Sequence, residues 1–250
     1  ATLVVVVLKV VEGCVARWTF QGVDGCRDIS GHNNHAEFAG STGHPIANAD
    51  SHTFSGSQQL RVPASASLDV RHAMTVACWF KPLGECDGPL INFEPAWNAH
   101  VWVLGGAKLF ARMTNRTKGC DVDVVVSDNL TMDEWHFLAA THCTDSGCST
   151  LSVNGQEVAR NHVGLHKLGT AGCISIGGHN GRHLKGELRD LRLYGRVLSP
   201  EELDWIAEEA SPPGAQPLMA RPPLDTELAA GVTCVGHWPL TGNRPCEDTT

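Results

Sequence analysis

No stretch of this 250-residue chain is apolar for long enough to cross a membrane as a helix, which takes about 18–20 residues. The most apolar run, Thr2–Val11, is far shorter and is broken by Lys9. It has no basic flank before it and no small-residue cleavage site after it, so it is expected to be a strand rather than an uncleaved signal peptide. Basic charge is scarce as well. The formal net charge is -8, and the acidic residues are scattered rather than clustered. That balance excludes the basic surface that nucleic acid or an anionic membrane requires. Missing too is any Cys-x-x-Cys pair among the ten cysteines. An even set of unclustered cysteines reads as cystines in an oxidising compartment rather than as a redox or zinc motif.

What remains is a chain with 42% hydrophobic residues, enough to bury a sizeable core. Short β-rich runs recur between Gly, Asn, Asp and Pro: Gln59–Val62, Met74–Lys81, His100–Leu104, Lys108–Met113, Asp121–Ser127, Trp135–His142, Thr150–Val153, Cys173–Gly177 and Gly186–Tyr194. Helical stretches between them are absent, which points to an antiparallel sandwich. Asn154-Gly155 marks a hairpin, since both residues tolerate positive φ. One helix is expected after Ser199-Pro200-Glu201-Glu202, with Ser199 as cap, Pro200 in the first turn, and Leu203, Ile206 and Ala207 on one face. It ends at Ser211-Pro212-Pro213, where a Pro-rich linker begins.

Beyond the linker, Cys234–Asp248 (CVGHWPLTGNRPCED) repeats Cys14–Asp28 (CVARWTFQGVDGCRD) with two cysteines, a tryptophan, a glycine and an aspartate in register. The tail therefore imitates an opening strand. Expected boundaries are an apolar strand extension over 1–13, a domain over 14–210, a linker over 211–231 and the repeated strand segment over 232–250.

Several segments resemble the laminin-G-like jelly rolls of the concanavalin A-like lectin and glucanase superfamily. They are Trp18-Thr19-Phe20 followed by DISGHNNHA (Asp28–Ala36), Phe54-Ser55-Gly56, Leu60–Pro63, MTVACWFKP (Met74–Pro82), VNGQEVA (Val153–Ala159) and the closing Ile174–Leu203. The resemblance covers roughly Cys14 to Ala210. It implies an all-β antiparallel jelly-roll β-sandwich with one short C-terminal helix. The same sandwich serves lectins, glycanases, adhesion modules and spacers, so function has to come from a site.

The paired-carboxylate E-x-D-x-E pattern of glucanases of this fold is absent, and no enzyme is expected. Calcium, which several members of the wider family bind, has two candidate places: Asp28 with Asn33 or Asn34, and Asp121 with Asp123. An Asp before Ser-Gly more often bonds its own loop. The pairs His162/His166 and His179/His183 share a face only on a helix, and these segments read as loops and strand ends. Because Cys14 and Cys26 recur together as Cys234 and Cys246, each pair is expected to bond within its unit; Cys143–Cys148 would close a hairpin tip. Cys78, Cys86, Cys120 and Cys173 allow three connectivities. Asn115 and Asn129 head N-x-Thr sequons compatible with glycosylation. Trp97 and Trp102 could stack on a sugar, although a sandwich tryptophan is ordinarily core.

Two functions fit. One is a secreted, disulfide-bearing building block that assembles head-to-tail into a fibre, with Cys234, Val235, Trp238 and Leu240 complementing a neighbouring copy. The other is a carbohydrate-binding adhesion module. The expected partners are further copies of the chain or glycans.

Overall fold

The computed structural model describes residues 11–39, 43–95, 98–117 and 124–219. In chain order the strands begin with β1 (Cys14–Trp18), β2 (Glu37–Ala39), β3 (Ile46–Ala47), β4 (His52–Ser55), β5 (Gln59–Val62) and β6 (Ala73–Pro82). Next come β7 (Gly88–Phe93), β8 (His100–Leu104), β9 (Lys108–Arg112), β10 (Val124–Asn129), β11 (His136–Cys143) and β12 (Cys148–Val153). The chain continues through β13 (Gln156–His162), β14 (Ile174–Ile176), β15 (Gly178–His179), β16 (Arg182–His183) and β17 (Lys185–Tyr194) to the helix α1 (Pro200–Glu209).

Two antiparallel sheets stack face to face. The first runs β13-β12-β11-β6-β17-β4-β3, with β1 also paired to β17; the second runs β10-β9-β8-β7-β14-β5-β2. Opening and closing strands are adjacent, as the family resemblance implied. Inward residues of both sheets, among them Val76, Phe80, Leu138, Leu188, Val101, Leu109, Ile91 and Ile174, form one core. Burying each such side chain contributes about 1.5–3 kcal/mol.

The outer faces differ. On the first sheet Ala77, Trp79, Phe137, Ala139 and Tyr194 point outward and are apolar, so the sheet needs cover. Helix α1 supplies it with Leu203, Ile206 and Ala207. The capping box of Ser199 and Glu202 starts the helix as its sequence specified, and Trp79 Nε1 donates to Ala207 O at 3.1 Å. No helix among the described residues covers the second sheet.

Strand β17 holds the first sheet together. Its first half pairs β4 and its second half pairs β1, while β6 lies along the other side. The change of partner falls at a bulge between Arg189 and Arg192, where Asp190 takes φ 51° and donates its N–H to Thr19 O. The Asp190 carboxylate accepts from Arg17 Nε at 2.7 Å and Arg192 Nε at 2.6 Å, and Glu209 at the end of α1 accepts from both arginines.

The Asn154-Gly155 turn is where sequence placed it, between β12 and β13. Strand β7 was not foreseen. Its residues are buried throughout, so they show no alternation, and Pro89 within it argues against a central strand. Residues 1–10 and the repeated tail, with Cys234, Val235, Trp238, Leu240 and Cys246, lie outside the described residues.

Removing the Asp190 charge leaves Arg192 buried without its closest partner. Asp190→Asn, which tolerates positive φ, is expected to lower stability by about 3 kcal/mol in urea unfolding. An unchanged midpoint would mean that the ion pairs are incidental.

Candidate functional site

Register across the second sheet builds a continuous row. Val124, Arg112, His100, Asn92, Ser175, Arg61 and Glu37 are successive Cα partners across all seven strands. The flanking positions on β10, β9, β8, β7 and β14, namely Val125, Ala111, Val101, Ile91 and Ile174, belong to the core, so this row faces outward. Val126, Phe110, Trp102 and Pro89 make the next outward row.

An outward polar row is ordinary when solvated, but the middle of this one is buried. Exposure is 5% for His100, 1% for Asn92, 0% for Ser175 and 6% for Trp102. These groups are held by one another. Trp102 Nε1 donates to Asn92 Oδ1 at 3.3 Å, Ser175 Oγ donates to Glu94 Oε1 at 2.6 Å, and His100 Nδ1 donates to Asn98 O at 2.6 Å. His100 also stacks on Phe110, with ring centroids 5.7 Å apart.

Above this fixed floor stand charged side chains that reach solvent. Arg61 donates to Glu94, and Arg182 donates to Asp87 Oδ2 at 2.8 Å with its guanidinium 5.2 Å over the Trp102 ring. The Arg112 guanidinium lies over Phe110. Strands β15 and β16 carry His179 and Arg182 beside Trp102 across the Asn180-Gly181 turn. Two polar atoms here, Asp87 Oδ1 and His179 Nε2, are buried with no hydrogen-bond partner in the protein. Burial pushes the His100 imidazole down to about 4 and lowers His179 as well, so both are neutral at pH 7. The face thus offers oriented donors, acceptors and aromatic edges without unpaired charge at its centre. Such a surface suits a hydroxyl-rich ligand.

The site residues expected from sequence fare unevenly. Trp102 belongs to the face but is not an open stacking platform, because Arg182 covers its ring; Trp97 lies outside the described residues. Asp28 is engaged by its own loop and by β1. Its Oδ1 accepts from Arg17 N and Ser30 N, and its Oδ2 from Ser30 Oγ and Asn34 N, all within 2.8–2.9 Å. Burial alone would raise this carboxyl, but those hydrogen bonds outweigh it and hold the pKa below the usual range. Asn33 provides a positive-φ turn at 59° in the same loop. Asp121 and Asp123 lie outside the described residues. Among the described residues no group of three His, Cys, Asp or Glu could hold a metal.

The expected Cys14–Cys26 bond is not formed in the structure. Both thiols are free, and Cys14 packs against the helix-side cluster while Cys26 packs in the core between the sheets. Trp18 bridges Asp28 in the antiparallel sense, so Cys14 and Cys26 lie on opposite sides of that bridge. Cys143 and Cys148 are also unbridged but are direct cross-strand partners, a separation that a disulfide can close. Asn115 Oδ1 accepts from Thr117 N and Oγ1, each at 2.9 Å, and Asn129 stands exposed at the end of β10.

Sequence reasoning missed Arg61, Asn92, Glu94, Arg112, Ser175 and Arg182, and weighed His179 only as a metal ligand. Each sits at a polar position in a strand or turn that is unremarkable alone; only the cross-strand register assembles them.

Two stacked antiparallel sheets with this strand order define a lectin-like jelly roll, and the family comparison agrees. Residues 54–204 match the laminin-G model of the concanavalin A-like lectin/glucanases superfamily, and the chain belongs to that family. No curated protein matches it. Among solved structures, the botulinum neurotoxin serotype D ligand binding domain in complex with N-acetylneuraminic acid is similar at TM-score 0.64 and 14% identity, covering 79% of this chain and 51% of that one. The binding domain of Paraclostridial Mosquitocidal Protein 1 is similar at TM-score 0.60 and 16% identity, covering 78% and 52%. The chain therefore spans about half the length of these structures, and at such identity the likeness shows the fold.

Acid should unfold the domain through its buried imidazoles. Burial, then the neighbouring imidazoles of His166 and His162, push His142 down to about 3, as burial pushes His100 to about 4. Unfolded histidine titrates near 6.5, so protons bind the unfolded state first and stability falls as pH drops below that value. The loss is about 1 kcal/mol per pH unit for each residue until the folded pKa is reached. His142→Gln is expected to flatten the decline in Tm between roughly pH 6.5 and 4.5 relative to wild type; an unchanged slope contradicts this.

Proposed function

We propose that the chain is a non-enzymatic, extracellular carbohydrate-binding module whose ligand lies across the outer face of the second sheet. The observation that carries this reading is the continuous outward row Arg112-His100-Asn92-Ser175-Arg61, buried and hydrogen-bonded at its centre, on the sheet that no described helix covers. A preorganised floor lowers the ordering cost of binding, and Arg61, Glu94 and Phe110, which reach solvent, can meet ring hydroxyls and C–H faces. Support also comes from the similar neurotoxin domain solved with N-acetylneuraminic acid. Calcium is proposed only for the Asp121–Asp123 segment, and occupied sequons at Asn115 and Asn129 and a Cys143–Cys148 disulfide would fit the extracellular setting.

A glycan microarray tests the proposal, run with and without EDTA. Wild type is expected to bind a restricted set of glycans, and an Arg61→Ala/Phe110→Ala variant to lose about tenfold in affinity, as for removal of one charge-assisted contact. Absence of any glycan binding, or full binding by the variant, would sink it.

One observation keeps head-to-tail assembly as a second reading. The tail retains the residues that β1 and its following loop bury or fix: Trp18, whose Nε1 donates to Asn34 O, Cys26 and Asp28 recur as Trp238, Cys246 and Asp248. Their place within this domain is filled, because β17 has β1 on one side and β6 on the other. The tail therefore suits another acceptor sheet. Light scattering on the full chain and on a version ending at Ala210 tests this: oligomers lost on truncation support assembly, and monomers in both cases contradict it.

A further inference from the structure

We infer that the outer face of the second sheet accepts a neutral saccharide and rejects one bearing a carboxylate or sulfate. This rests on the reading of that face as a carbohydrate site and names the chemistry of its ligand.

Two of the arginines on the face are closed into ion pairs with carboxylates. Arg61 reaches Glu94 Oε2 with Nη2 at 3.2 Å and Nε at 3.4 Å, and across β2 it lies opposite Glu37. Arg182 reaches Asp87 while its guanidinium plane sits over Trp102. Arg112 is engaged over Phe110. Arg61 and Arg182 are thus matched by Glu94 and Asp87, Glu37 adds a further negative charge at the β2 edge, and burial holds the imidazoles of His100 and His179 toward their neutral form. An anionic sugar would have to draw a guanidinium away from its carboxylate, and that carboxylate would then face the incoming anion across a short gap. Like charges at such distances repel strongly when partly desolvated.

A neutral sugar meets no such conflict. Each hydroxyl has one donor and two acceptor sites, so neighbouring hydroxyls can donate to Glu94 or Asp87 and accept from Arg61 or Arg182 without parting the pairs. The preference would set this chain apart from the neurotoxin domain solved with N-acetylneuraminic acid, an acidic sugar.

The test is a titration of the full chain followed by 15N–1H amide shifts. The neutral probes are methyl glycosides of glucose, galactose, mannose, fucose and N-acetylglucosamine. The acidic probes are N-acetylneuraminic acid, glucuronic acid and galactose 6-sulfate. At least one neutral sugar is expected to shift the amides of Arg61, Asn92, His100 and Arg112, with the acidic sugars leaving them in place. An acidic sugar that shifts them as strongly as the best neutral one overturns the inference while leaving the carbohydrate reading intact. Silence from every probe overturns both. A folded Asp87→Asn/Glu94→Gln variant is expected to lose about tenfold toward the neutral sugar and to gain binding to the acidic ones. If it continues to exclude acidic sugars, the carboxylates are not the cause of exclusion.

Discussion

Strand β17 carries one residue too many for its neighbour β6, and the rest of the first sheet depends on where that residue is placed. Leu188 faces the core, and strict alternation would then send Asp190 and Arg192 inward after it. The bulge at Asp190 shifts the phase, so that Leu191 and Leu193 enter the core and the charged residues turn out. Positive φ at Asp190 makes the shift, and the ion pairs to Arg17 and Arg192 hold it. The bulge also marks the change of partner from β4 to β1. Through Glu209 the same cluster ties down the end of α1.

That anchoring decides which face is left for function. With α1 fixed over the apolar outer side of the first sheet, the described structure leaves the outer side of the second sheet to polar residues. A polar row with a buried centre is costly unless every group finds a partner. Here Asn92, Ser175, Trp102 and His100 satisfy one another or the backbone, and two atoms beside them do not. The combination of a rigid floor and charged pairs that reach solvent distinguishes this face from an ordinary solvated one.

Much of the fold was legible in the sequence because the signals were local. The Ser199–Glu202 cap, the Asn154-Gly155 turn and the β-rich run Met74–Lys81 each follow from a few adjacent residues, and each is found where expected. Strand β7 escaped because burial on both faces removes alternation. The site escaped for a different reason. His100 and Arg112 lie on neighbouring strands, but Arg61 and Ser175 meet them only through the order β8-β7-β14-β5, which joins distant parts of the chain. Within the described domain Cys14 and Cys26 serve separate clusters.

The central claim is that the ligand face is the outer side of the second sheet and that it exists before the ligand arrives. A crystal structure of the domain grown with and without a saturating saccharide tests this most directly. The account predicts sugar density spanning the Arg61–Glu94 and Arg182–Asp87 pairs, over a floor of Asn92, His100 and Trp102 unchanged between the two crystals. Sugar bound instead among the loops at an end of the sandwich, or a floor that forms only in the complex, would contradict it.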